Sequence, residues 1–240
     1  MLKTIFCFTC VAVTVLALTP VGVIVALFSL LGLRKPMLAM MCRIAQGWAW
    51  LMLKIINCKV TVQGRENIPA KGGFCFVSNH GSIFDILIFL RYAGRPFGFV
   101  AKKELLLLPI LNMWILVLGG LFIDRKNHRN ALKTINKGIA RIRAGGGMVM
   151  FPEGHRSRGQ GLLPFHPGSL KLATKSDAVI VPVALTGTWE VFEKTYRVNP
   201  GPVSITFCKP IETASLSADD RKQELVGRVY NVIKDAMEKH

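Results

Sequence analysis

From Thr4 to Leu33 the chain runs thirty residues without an Asp, Glu, Lys, Arg or His. Nothing else in the sequence restricts the fold as much. As one helix the run would reach about 45 Å, against a hydrocarbon core of roughly 30 Å. It is longer than the roughly 7–15 apolar residues that a secretory signal needs, and no small-x-small site ends it. It reads as a retained membrane segment, with Pro20 and Gly22 as the expected kink points. The following stretch, "MLAMMCRIAQGWAWLMLK", places Met37, Met40, Met41, Ile44, Trp48 and Leu51 at helical spacing, opposite Arg43, Gln46, Gly47 and Lys54. That pattern suits a helix at the membrane interface, although an ordinary core helix has the same period. Residues 1–56 are therefore expected to be a membrane-associated helical segment, and 57–240 an α/β domain. Lys3 precedes the apolar run, while Arg34, Lys35 and Arg43 follow it. The positive-inside rule then keeps the larger part on the cytoplasmic face of the membrane. A helical pair that dips into one leaflet without crossing gives the same side.

The formal charge of the 240 residues is +17. Between Gly120 and Lys175 there are eleven Lys or Arg and two acids, so over half of that excess falls in one region. A basic, membrane-tethered chain faces anionic membrane lipid and phosphate-bearing substrates. Nucleic acid is not expected as a partner: there is no zinc-finger spacing, no RNA-recognition aromatic signature and no long basic tail. Six scattered cysteines fit a reducing compartment. Two of them form "CFTC", which has redox-motif spacing but lies inside the apolar run with no βαβ context. The five histidines and few acids show no H-E-x-x-H or comparable metal set. In "AGGGMV" the glycines precede a strand instead of following it, so this is no dinucleotide fingerprint. Neither a metal nor a cofactor is expected.

Beyond the N-terminal helices, strands alternate with helices. "KVTVQG" alternates as a strand, "FCFVS" is a short buried strand, and a helix follows from Ser82 to about Tyr92. "FGFVAK", "LFIDR", "MVMF", "VIVPVAL" and "VSITFCKPI" are further strands. Pro109 splits "KELLLLPILNMWILVLGG" into two short helices. "HRNALKTINKGIARIRAGGG" is an amphipathic helix with Leu132, Ile135, Ile139 and Ile142 on its apolar stripe, ended by glycines. Ser217 and Asp220 form a capping box for a last helix with Val226, Val229, Ile233 and Met237 buried. Continuously apolar strands between helices indicate a partly parallel, mixed sheet flanked by helices.

Several strands end in polar residues that could carry chemistry. "SNHGSIFD" joins the strand "FCFVS" to the helix "ILIFL". Ser82 and Asp85 have the form of a capping box, which would make His80 a loop residue. The same spacing lets Asp85 hydrogen-bond one imidazole nitrogen of His80, fixing the tautomer and leaving the other nitrogen as a base. The two readings are compatible. In "GGLFIDR", Arg125 ends a strand, where its guanidinium can hold a phosphate or simply meet solvent. In "MFPEGHRSRG", a buried strand delivers Pro152, Glu153 and Gly154, then Arg156 and Arg158. Glycine there allows close backbone approach, and the arginines offer phosphate contacts; a basic surface loop is the alternative. Pro182 interrupts "VIVPVALTG" and suggests an edge strand or a bulge. Lys102 and Lys103 follow another strand, where they could add positive charge to the site or stand as a solvated pair.

The ordered set "NHGSIFD", "GGLFIDR", "FPEGHRSRG" and "VIVPVAL" resembles the four motif blocks of the glycerolipid acyltransferases of the H-x4-D type, most closely those that act on 1-acyl-glycerol 3-phosphate. The likeness runs from about Val62 to Pro210. One departure is visible, because His155 stands where the third block usually carries Thr. The resemblance implies His80 as general base and Asp85 as its partner. It implies an acceptor site with Arg125, Glu153, Gly154 and Arg156, the arginines on the acceptor phosphate. The implied substrates are lysophosphatidic acid and an acyl thioester, either acyl-CoA or an acyl-carrier protein. Another lysolipid acceptor, a thioesterase-like use of the same pair, and a non-catalytic basic membrane protein are the alternatives.

Overall fold

Alternation along one strand sets the layers of the molecule. In Phe74–Ser78 (β2) every residue is buried, with Phe74 and Phe76 in one apolar cluster and Cys75 and Val77 in the other. A strand that is apolar on both faces needs a layer above and a layer below. The computed structural model describes residues 1–124, 126–166, 168–217 and 224–239. Its sheet joins β2 to Lys59–Gln63 (β1), Phe97–Lys102 (β3), Leu121–Ile123 (β4), Gly147–Met150 (β5), Val179–Thr186 (β6), Pro202–Phe207 (β7) and Ile211–Glu212 (β8). The order is β1-β7-β6-β2-β5-β3-β4, with β8 also on β6. Strands β6, β2, β5, β3 and β4 run parallel, and β7 is antiparallel to β6. The sheet is mixed and partly parallel, as the pattern of the sequence predicts.

One face carries the helix Phe84–Tyr92 (α3) and the helix Arg34–Ile56 (α2); Ala49, Met52, Leu53, Ile56, Ile88 and Phe89 share a core with Phe74 and Phe76. The other face carries His128–Arg143 (α5) and the last helix, Leu225–Glu238, through Ile142, Leu225, Val229 and Ile233. The apolar stripe of α5 is narrower than its spacing suggests: Leu132 is exposed, one turn before the helix reaches the core. Its first turn is capped by Asn127, whose side chain accepts from the Asn130 N–H at 3.0 Å. Asp220 lies outside the described residues, and with it the Ser217–Asp220 capping box. Pro109 does separate a 3₁₀ turn, Lys103–Leu107, from the helix Leu111–Val117 (α4).

Leu2–Phe28 (α1) continues as helix through Pro20. The chain turns at Gly32, whose φ of 88° belongs to the left-handed region that glycine enters without a Cβ clash. The result is an antiparallel hairpin: Trp48 Nε1 donates to Thr14 Oγ1 at 2.9 Å, and Lys3 Nζ donates to the Ile56 carbonyl at 3.0 Å. Leu2–Leu33 is the one helical stretch, among the described residues, long and apolar enough to cross a membrane. Its tip is bare, with Leu30 and Leu31 83% and 76% exposed. The base of the hairpin is docked, because the Val198 N–H donates to Thr4 Oγ1 at 2.9 Å and Phe8 packs on Phe192. On α2 the buried row is Met41, Ala45, Ala49, Met52 and Ile56, whereas Met40 and Leu51 are exposed. Small alanines let α2 approach the domain closely, which apolar periodicity alone does not reveal.

Candidate active site

The parallel strands end on one edge, and the three central ones, β6, β2 and β5, deliver adjacent loops. Chain direction thus brings together segments about a hundred residues apart. Asn79 locks two of them. Its side chain donates to the Leu185 carbonyl and accepts from the Leu185 N–H, both at 2.8 Å, so the end of β2 is pinned to β6.

His80 Nδ1 lies 2.7 Å from Asp85 Oδ2. The same oxygen accepts from the Gly81 N–H at 2.9 Å and the Ser82 N–H at 3.0 Å. Ser82 Oγ in turn accepts from the Phe84 N–H at 3.0 Å. Asp85 therefore closes the start of α3 and holds the imidazole at once, so the contacts expected from both readings of "SNHGSIFD" are present together. Asp85 is fully buried, while the His80 side chain keeps 19% of its surface open. The ring stacks on Phe151, the first residue after β5, with centroids 4.1 Å apart and planes 20° apart. With Nδ1 held by the carboxylate, Nε2 is the nitrogen left to take a proton.

Glu153 is brought to the His80 backbone and not to its ring: the carboxylate accepts from the His80 N–H at 2.6 Å and from the Leu163 N–H at 3.1 Å. It is buried, and burial pushes its carboxyl above the usual range against the pull of those two N–H groups. Gly154 takes φ 74° and closes a tight turn through its N–H to the Phe151 carbonyl. The loop is clasped to the histidine a second time by the Ser157 N–H, which donates to the His80 carbonyl at 2.7 Å.

Arg156 also reaches the site, though not as a free cation. Its Nη1 donates to Glu193 Oε1 at 3.0 Å. His155, the residue that departs from the third motif, is exposed, with Nδ1 3.4 Å from the Arg156 carbonyl. Arg125 lies outside the described residues. Lys103 is tied to Asp124 at 2.7 Å, and that ammonium holds the Asp124 carboxyl below its usual range, so the two lysines are not a free pair. Pro182 sits inside the sheet, paired to Val77 on one side. Its other side falls in the gap where the chain leaves β7 and returns as β8, and its carbonyl accepts from the Cys208 N–H there. A missing N–H is harmless at such a break, which is why a proline stands in an interior strand.

Three side chains that help build the site were not legible in the sequence: Asn79, Phe151 and Glu193. "TWEVFEK" holds two glutamates of similar appearance. Glu190 is exposed and pairs with Lys194, whereas Glu193 is buried and bonded to Ser82, Ile83 and Arg156. Partners 111 and 37 residues away leave no local signal.

A strand-end histidine with its aspartate five residues on, set on a mixed α/β sheet, defines an enzyme of the H-x4-D acyltransferase class. The family model described as Acyltransferase matches residues 59–186, and the chain belongs to that family. It is 32% identical over 188 residues to the 1-acyl-sn-glycerol-3-phosphate acyltransferase of Borreliella burgdorferi, covering 78% of this chain and 75% of that one. It is 33% identical over 184 residues to the protein of the same name from Limnanthes douglasii, covering 75% of this chain and 65% of that one. The crystal structure of the 1-acyl-sn-glycerophosphate (LPA) acyltransferase PlsC from Thermotoga maritima superposes with a TM-score of 0.84 at 27% identity, over 99% of this chain and 94% of that chain.

Proposed function

We propose that the protein transfers a fatty acyl group from an acyl thioester to the sn-2 hydroxyl of lysophosphatidic acid, making phosphatidic acid for phospholipid synthesis. The observation that carries this reading is the 2.7 Å contact between His80 Nδ1 and Asp85 Oδ2, which leaves Nε2 open at the strand edge. Names and fold of the relatives support the substrate.

His80 Nε2 removes the proton from the acceptor hydroxyl as its oxygen attacks the thioester carbonyl. The new C–O bond forms, the C–S bond breaks, and His80 returns the proton to the leaving thiolate. Positioned base catalysis of this kind contributes roughly 10²- to 10⁴-fold. A thioester is already activated, and the sequence carries no G-x-S-x-G nucleophile elbow, so direct transfer fits better than an acyl-enzyme. Asp85 fixes the imidazole, Glu153 and Gly154 shape the loop behind it, and Arg125 and Arg156 meet the acceptor phosphate. Residues 1–56 hold domain 57–240 at the cytoplasmic leaflet, where both acyl chains lie. The donor is acyl-CoA or an acyl-carrier protein, and the two are separated by assay.

The test supplies the protein in vesicles with labelled lysophosphatidate and either donor. Labelled phosphatidate is the expected product. Free fatty acid alone would replace this reading with a hydrolase, and lipid binding without turnover would replace it with a non-catalytic membrane protein.

A further inference from the structure

Glu193 lies seven residues beyond the segment matched by the family model, in the turn that follows the short helix Thr188–Val191 after β6. Its side chain is only 5% exposed, and both oxygens are occupied. Oε2 accepts from Ser82 Oγ at 2.6 Å; Oε1 accepts from the Ile83 N–H at 2.8 Å and from Arg156 Nη1 at 3.0 Å. A buried carboxylate is retained only where such donors compensate for lost hydration. These donors come from two different loops. Ser82 and Ile83 belong to the turn that presents His80 and Asp85; Arg156 belongs to the loop after β5. The neighbouring Phe192 packs on Phe84 of α3 and on Phe8 of α1, so Glu193 is held from behind. The Arg156 side chain is 33% exposed, and a guanidinium has five N–H donors, so one committed nitrogen leaves others facing out.

We propose that Glu193 is a positioning residue for acyl transfer: it aims Arg156 at the acceptor phosphate and fixes that arginine to the turn carrying the His80–Asp85 pair. The assignment rests on the lysophosphatidate reading above. It makes the distance between phosphate anchor and base a property of one buried carboxylate. A flexible arginine would bind phosphate without registering the hydroxyl against His80; a tethered one registers both.

Glu193→Gln separates the two tasks, because an amide can still accept from the Ile83 N–H and donate to Ser82 Oγ while losing the charge that holds Arg156. Initial rates are measured for wild type, E193Q, R156A and the double variant, varying lysophosphatidate and acyl thioester in turn. E193Q is expected to raise the acceptor KM about tenfold, the equivalent of one charge-assisted hydrogen bond, with the donor KM unchanged. In the R156A background the same substitution should add nothing further. An acceptor KM that stays level or falls in E193Q, or effects that simply add in the double variant, would overturn the proposal. A wild type that makes no phosphatidate defeats the substrate reading itself; a wild type that does, with an additive cycle, defeats the role of Glu193 alone.

Discussion

His80 and Asp85 interact through one nitrogen and one oxygen, and that oxygen also takes two backbone N–H groups. Asp85→Asn can set its amide oxygen where Oδ2 accepts all three donors, with the NH2 at the buried Oδ1 position, but it removes the negative charge beside the imidazole. It should lower kcat by at least about 10²-fold, because the imidazolium formed as His80 takes the hydroxyl proton loses its counter-charge, while the acceptor KM holds. Rates at saturating lysophosphatidate check this; a near-normal kcat would leave Asp85 as a helix cap only. Glu153 offers a pH signature. Its native carboxyl value is raised by burial, so the folded state resists ionisation. The stability contribution is fully present below the unfolded glutamate value and is lost as pH rises to the raised native value. The unfolding midpoint of the wild type, relative to Glu153→Gln, is therefore expected to fall with rising pH across that window; a pH-independent difference would contradict it. At this scale the pair was readable because it lies within five residues. Glu193, Asn79 and Phe151 were not, since each acts on a partner brought near only by the sheet.

At the scale of elements, strand pairing and the N-terminal hairpin carry separate consequences. Gly147 opens β5 directly opposite Phe74, and a Cβ there would stand 2.1 Å from the Phe74 ring. Gly147→Ala should destabilise the fold by about 1–3 kcal/mol, the usual penalty for overpacking a core. Thermal or chemical unfolding measures it, and an unchanged midpoint would mean that the ring has room to move. Leu30 and Leu31 at the hairpin tip are mostly exposed. Replacing Leu30 and Leu31 together by Asp should release the protein from liposomes in a flotation assay while leaving its unfolding midpoint in place. Retained binding would move the membrane contact elsewhere. The strands were legible because period-2 alternation and turn residues are local. The bend at Gly32 was not, because a run that is apolar all round does not reveal where it turns; nor was the buried face of α2, because Ala45 and Ala49 pack closely without marking an apolar stripe.

The whole molecule places five parallel strand ends on one edge, with the base of the hairpin docked through Thr4 and Phe8 near the same loops. On the proposed function, this arrangement suits work at a membrane surface, where an acceptor with one acyl chain presents its headgroup while the chain stays in lipid. Four motif blocks in order made the class of chemistry readable in the sequence through a family resemblance, whereas their meeting point required the parallel order of β6, β2 and β5. The central claim is that an imidazole held by Asp85 drives acyl transfer to a lysophosphatidate hydroxyl. The most direct measurement is phosphatidate formation by wild type and His80→Ala, reconstituted side by side in the same vesicles with labelled lysophosphatidate and acyl thioester. The account predicts robust labelled phosphatidate from the wild type and a rate reduced by roughly 10²- to 10⁴-fold in the variant, with equal amounts of both proteins on the vesicles. A variant that keeps near-wild-type turnover would contradict it.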